Sequence, residues 1–381
     1  MAEPAPRPFF GPRKVYTVRS NVTRIKEATV KFTKIAIGIA AFSLVATCAE
    51  AAVKWSDESY EQILARAKQE NKYVFIDFFA TWCGPCKRMD EKTFTDAKVQ
   101  DLLNSMIPAD WDAEKDPHVA VAKQYKVSAY PTLLVIGPDG KEVDRYLGYM
   151  EPADFIKTID GYRNGVGTIA ALEKQLKASP DNIDLLYQVG TKHAEAGRSE
   201  EAAAPLNKVL KLDPNNKERN PEILYSLGEA YYMDAKYAEA KPYFNRLVTE
   251  YKDSEMAPDG YKRLAGIEYK LGNNDAAVAT MEKTLAGKET DANTLNGFAW
   301  FCAQRKIGLD KALPVAQKAA DLSGRDPGIL DTLAEVYFAR GEFDNAIKVE
   351  EEALAKTPND QYTKDQIAKF KKAKDDAKSK T

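Results

Sequence analysis

Beyond Gly165 the chain repeats itself, and repetition constrains architecture more tightly than any single motif, because every copy must offer its neighbours the same faces. Four stretches align: "YQVGTKHAEAGRSEEAAAPLNKVLKLDP" from Tyr187, "YSLGEAYYMDAKYAEAKPYFNRLVTEYKD" from Tyr225, "KRLAGIEYKLGNNDAAVATMEKTLAG" from Lys262 and "DTLAEVYFARGEFDNAIKVEEEALAKTP" from Asp331. A fifth, weaker copy, "GFAWFCAQRKIGLDKALPVAQKAADL", starts at Gly297. Small residues recur in register as Gly190, Gly228, Ala265 and Ala334, followed seven residues later by a turn glycine at Gly197, Gly272 and Gly341. Ala202, Ala240, Ala277, Ala312 and Ala346 mark the close packing of a second helix. A generic helical bundle would share the apolar periodicity without this matched register of small residues.

The period of 34 to 38 residues, with Pro214 and Pro358 closing two units, resembles tetratricopeptide repeats. The resemblance implies an all-α solenoid of about five units over 181–360, whose first helices line a peptide-binding groove. Counting from the small-residue register places Tyr187, Tyr225, Tyr232, Tyr269, Phe301 and Phe338 on that groove as candidate partner contacts, since rigid aromatics with polar tips hold peptides well. The alternative is that these rings pack between helices. Lys262 and Arg305 share the face without the asparagines of a carboxylate clamp, so that mode is not expected. A capping helix is expected in 164–180, at "TIAALEKQLKASP", and a polar cap and tail in 361–381.

Between Trp55 and Gly165 helix and strand alternate. Helices are expected at Ser56 to Gln69, opened by Ser56, at Gly84 to Asn104, at Pro117 to Tyr125 and at Pro152 to Tyr162. "YVFIDFFA", Tyr73 to Ala80, reads as a strand buried on both faces, with another near Ile107 to Trp111. "PTLLVIG" and "KEVDRYLG" flank the turn Pro138 to Gly140 as a hairpin. This is an α/β domain over 53–163.

The chain has four cysteines, and two of them, Cys83 and Cys86, lie three residues apart. Such a pair is half a zinc site or a redox couple. Zinc needs four ligands, and beyond the pair only Cys302, His118 and His193 follow, so no metal is expected. As a redox couple, Cys83 sits at a helix N-terminus, where unpaired N–H groups favour its thiolate, and Pro85 is tolerated in the first turn.

"VFIDFFATWCGPCKRM" with "AYPTLLVIGPDGKEV" resembles thioredoxin, and the following "TFTDAKVQDLL" looks more like periplasmic thioredoxin-like domains of the DsbD type. The resemblance implies an α/β thioredoxin fold in which Cys83 attacks and Cys86 resolves, a redox disulfide between them, and a cis Tyr130-Pro131 beside it. By the same resemblance Asp77 is the buried acid that exchanges a proton with the resolving cysteine, while Trp82 and Tyr130 meet the substrate. A carboxyl in an apolar strand has a raised pKa, which suits that task. Pro108 stands where thioredoxins carry a lysine near this acid, so proton handling is expected from Asp77 and water alone. His118 reads as a surface residue, and His193 and Cys302 as packing residues.

The first fifty-one residues combine a basic run, Arg7 to Lys34, with the apolar "IAIGIAAFSLVA" and Ala49-Glu50-Ala51. This order reads as a secretory signal cleaved near Ala52, ordinary in length if translation began at Val30. An uncleaved anchor and lipidation at Cys48 remain open alternatives. With 29% charged residues and a net charge of −2, nothing suggests nucleic acid as a partner. The expectation is an exported, periplasmic thiol–disulfide oxidoreductase without cofactor, acting on protein disulfides, served by a membrane electron donor, and docking partners through its repeats. The alternative is a repeat adaptor whose redox domain is accessory.

Overall fold

The computed structural model describes residues 52–379, so the signal region, Cys48 and the Ala52 cleavage expectation lie at or beyond its edge. Among the described residues the chain divides into two compact units between Gln175 and Leu176.

The first unit holds α1 (Tyr60–Glu70), β1 (Val74–Phe79), α2 (Gly84–Arg88), α3 (Ala97–Asn104), β2 (Ile107–Asp112), α4 (His118–Gln124), β3 (Thr132–Ile136), β4 (Glu142–Leu147), α5 (Pro152–Arg163) and the start of α6 (Ile169–Ala178). The four strands form one sheet in the order β2-β1-β3-β4, with β1 parallel to β2 and antiparallel to β3. Alternation along β1 sends Val74, Ile76 and Phe78 to one face, where they pack with Ile63, Trp111 and Leu134. Phe75 goes to the other, among Met89, Phe94, Leu133, Phe155 and Ile159. Hydrophobic residues on both faces explain why "VFIDFF" reads as an apolar run broken by Asp77 alone. At the β3–β4 turn Gly140 takes φ +78°, the left-handed conformation that the Pro-Asp-Gly sequence foretells.

Two local expectations are corrected. The first helix is capped by Ser59, not Ser56: the Ser59 hydroxyl accepts the Gln62 N–H while the Gln62 side-chain oxygen accepts the Ser59 N–H, a reciprocal pair that fixes the start. The single helix expected from Gly84 to Asn104 is broken. After α2 one π-helical turn, Met89–Thr93, takes over. Thr93 Oγ1 donates to the Met150 carbonyl at 2.6 Å, and Phe94 turns inward onto Trp55 and Phe155. Asp96 then caps a new helix through the Lys98 and Val99 N–H groups.

The second unit stacks helical pairs: α7 (Ile183–Glu195) with α8 (Ser199–Leu212), α9 (Arg219–Met233) with α10 (Tyr237–Glu250), and α11 (Ala257–Lys270) with α12 (Asn274–Glu282). α13 (Ala292–Arg305) with α14 (Leu309–Leu322) and α15 (Pro327–Ala339) with α16 (Phe343–Lys356) follow, and α17 (Gln361–Lys378) closes the stack. The small residues stand at the helix contacts. A Cβ on Gly228 would lie 2.8 Å from the Phe244 ring, and Ala202, Ala240, Ala277, Ala312 and Ala346 are fully buried. This is an all-α repeat solenoid after an α/β thioredoxin-like sheet, as the two sequence textures imply.

Candidate functional site

Strand β1 delivers the chain to Cys83, which caps α2: its Sγ accepts the Cys86 N–H at 3.1 Å. A donor on the sulfur favours the thiolate over the thiol in the reduced form. In the structure Cys83 and Cys86 are joined as a disulfide, Cα atoms 5.3 Å apart, and both are 2% exposed. Ala80, Phe79 and Tyr130 pack around the pair. The Tyr130-Pro131 peptide is cis. Trp82 forms the outer rim at 36% exposure, its ring 5.9 Å from that of Tyr130 and its Nε1–H donating to Glu114 at 2.9 Å. Burial, with Glu114 and Asp112 nearby, pushes the Tyr130 phenol up to about 12, so it stays a neutral donor. The fold thus gathers Cys83, Cys86, Trp82, Tyr130 and Pro131 about one disulfide.

Asp77 sits two residues after Phe75 in β1 and so faces the same side of the sheet, the side on which Met89 of the α2 extension packs. It is 2% exposed, and its Oδ1 has no hydrogen-bond partner. Burial, reinforced by the charges of Asp90 and Asp110, raises its pKa well above the carboxylate range. These two acids do not stand out in the sequence; they add to the burial that raises the Asp77 pKa. Asp90 was findable one helical turn beyond Cys86; Asp110 emerges only from the parallel register that pairs it with Asp77. Pro108 pairs with Phe75.

Cys302 is fully buried, and burial pushes its thiol up to about 12, so it is an inert core residue. His193 is buried as well. His118 is corrected from surface to half-buried: its ring stacks on Trp111 with centroids 4.9 Å apart and planes 8° apart, and burial lowers its pKa. Among the described residues no cluster of three or more His, Cys, Asp or Glu is placed to hold a metal.

Of the six groove candidates, Phe301 is corrected outright: it is 7% exposed and belongs to the core of its unit. The ring of Tyr225 packs edge-on against Phe244, and that of Phe338 lies against Phe343 and Phe370. Tyr187 donates from its hydroxyl to Glu222 at 2.7 Å. Tyr232 and Tyr269 are half-buried, with the guanidinium groups of Arg263 and Arg305 over their rings at 5.0 and 5.4 Å. Lys262 pairs with Asp259 on its own helix.

A fold of this topology around a capped Cys-Gly-Pro-Cys disulfide defines a class, the thioredoxin-like domains, here followed by helical repeats. Comparison with known proteins agrees. Residues 60–163 match the model of a thioredoxin-like domain, and 163–222 and 222–254 match two models of tetratricopeptide repeats. A thioredoxin of Chlamydia caviae is 41% identical over 88 residues, which are 23% of this chain and 79% of that protein. The thiol:disulfide interchange protein DsbD of Yersinia pestis is 35% identical over 101 residues, 26% of this chain, and the chain spans 17% of the length of that relative. Among solved structures, a thermophilic TPR protein of Thermus thermophilus is 21% identical, covering 49% of this chain and 98% of its own, with a TM-score of 0.32. The chain belongs to the thioredoxin family through its first domain and continues into tetratricopeptide repeats. Its dithiol–disulfide pair gives that domain the chemistry of thiol–disulfide exchange.

Proposed function

We propose that this protein is an exported thiol–disulfide oxidoreductase that reduces disulfides of client proteins, with its repeats docking the client or a partner. The observation that carries the reading is the Cys83–Cys86 disulfide at a helix start, with buried Asp77 on the sheet face beneath that helix. In the reduced form the Cys83 thiolate attacks one sulfur of a client disulfide; a Cys83–client bond forms and the second client sulfur leaves as a thiolate. The ionised fraction of Asp77 then takes the proton of Cys86, whose thiolate attacks the Cys83 sulfur, and Asp77 and water protonate the departing client thiolates. The client leaves as a dithiol, carrying two electrons, and the Cys83–Cys86 bond is restored. Trp82 and Tyr130 form the rim a client strand meets, and Pro131 follows in the loop beside the pair.

The Cys-Gly-Pro-Cys sequence supports a reducing couple near about −270 mV, the thioredoxin value, and not about −120 mV, that of a dedicated oxidant. A donor of electrons is then required, and a membrane transporter of the DsbD type fits the resemblance of the first domain. The basic run and apolar segment before Ala52 support export. The test is insulin reduction with dithiothreitol as donor, combined with a glutathione titration. Turnover that Cys83→Ser abolishes, with a potential near that of thioredoxin, is expected. A potential near that of a dedicated oxidant would overturn the reducing direction.

A further inference from the structure

A cation covers an aromatic ring of the preceding first helix at four places along the second unit. Arg219 lies over Tyr187 at 5.2 Å, Arg263 over Tyr232 at 5.0 Å, Arg305 over Tyr269 at 5.4 Å, and Lys369 over Phe338 at 4.9 Å. Three of these cations also hold a carboxylate. Arg219 pairs with Asp184 at 3.0 Å, Arg263 with Glu229 at 2.5 Å, and Lys369 with Glu335 at 2.5 Å. Arg305 pairs with none among the described residues. Its Nε is buried without an acceptor, and its Nη1 reaches only the Phe301 carbonyl at 3.3 Å.

The register explains the difference. Glu229 directly follows the small residue Gly228, and Glu335 directly follows Ala334. The residue directly after Ala265 is Gly266. So the unit facing Arg305 lacks the side chain that supplies the carboxylate to Arg263 and Lys369, while keeping Tyr269 one helical turn further on as the platform for the guanidinium; Arg219 takes its carboxylate from another position, Asp184. A Cβ at Gly266 would stand 3.2 Å from the Tyr232 hydroxyl, so that tyrosine borders the same spot. Around it the surroundings are aromatic: the Phe301 ring is 4.1 Å from the guanidinium carbon. An unpaired charge in such a place is costly, and an Arg fork is shaped to take a carboxylate in two parallel hydrogen bonds.

We propose that Arg305, bordered by Tyr232, Tyr269 and Gly266, is a binding site for an aspartate or glutamate side chain of a docked polypeptide. The acid of the ligand takes the place that Glu229 and Glu335 fill in two other units, and an apolar residue beside it rests on the tyrosine rings. Burial, which holds the Arg305 pKa below the usual arginine value, agrees with a desolvated charge awaiting a counter-charge. The inference deepens the docking role proposed for the repeats and rests on that part of the reading alone, independent of the cysteine chemistry.

The test uses the full chain and a fluorescein-labelled, C-terminally amidated peptide with a central Leu-Glu-Tyr-Glu-Leu, followed by fluorescence anisotropy. The acidic peptide should bind at least about tenfold more tightly than the same peptide carrying Gln for Glu. Arg305→Gln should erase that difference, Arg305→Lys should keep part of it, and Gly266→Glu, which supplies the carboxylate internally, should erase it as well. Melting curves should show Arg305→Gln no less stable than the parent, because a charge without a partner is removed. Equal affinity of the parent for both peptides, or full discrimination retained by Arg305→Gln, overturns the proposal. So does equal tight binding of the Gln peptide once its C-terminus is left free, which would assign the site to a terminal carboxylate, or displacement by inorganic phosphate at equal concentration. Insulin reduction measured on the same samples separates the two readings: its loss with peptide discrimination intact refutes the enzyme and leaves this site standing.

Discussion

Asp77 concentrates the physical tension of the first domain. A carboxyl with one oxygen lacking a partner, inside a sheet and near two further acids, favours its neutral form, so its folded-state pKa is raised. The sign follows from linkage. The stability associated with the protonated group is complete below the unfolded carboxylate value, about 3.9, and is lost as pH rises through the raised folded value. Asp77→Asn removes that loss, so the oxidised variant should be more stable than the parent at pH 7, by roughly 1–3 kcal/mol in denaturant unfolding, with the gap closing toward pH 4. The same change deletes the acceptor for the Cys86 proton, and resolution of a mixed disulfide should slow by up to about 100-fold at neutral pH. A variant that is less stable yet exchanges at the parental rate would contradict the proton-transfer role.

At the scale of elements, what the sequence discloses depends on how local the cause is. The repeats are legible because close helix contacts demand small residues at fixed spacing, and side-chain size is written in the sequence. A Cβ on Gly190 would lie 2.4 Å from Leu206 Cγ, a branch point with little freedom to retreat. Gly190→Ala should therefore destabilise the repeat unit by about 1–3 kcal/mol despite its better helix propensity, read as a lowered melting temperature. A neutral or stabilising result would mean the α7–α8 contact is looser than described. The Cys83, Cys86 and Asp77 constellation was equally legible, since one short segment holds it all. The break after α2 was not, because helical periodicity runs through residues 84–104 and only Phe94 entering an aromatic cluster and Asp96 offering a cap decide against it. The electrostatic company of Asp77 was hidden for a related reason: Asp110 reaches it through sheet register, 33 residues away in sequence. Groove aromatics could be placed on a face by counting, but counting does not say which rings the neighbouring helix claims, as Phe301 illustrates.

At the scale of the whole molecule, the two units differ in chemistry. One carries a two-electron couple beneath an aromatic rim; the other carries a face of half-buried tyrosines and cations with no redox couple among the described residues, Cys302 being buried core. Among the described residues no helix is long and apolar enough to cross a membrane. Attack by Cys83 and resolution by Cys86 are tested most directly by trapping. Each single serine variant, reduced and then mixed with an oxidised client such as insulin, is analysed by non-reducing electrophoresis. A stable mixed disulfide, released by dithiothreitol, is expected for Cys86→Ser and none for Cys83→Ser. Equal trapping by both variants, or trapping only through Cys86, would contradict these roles.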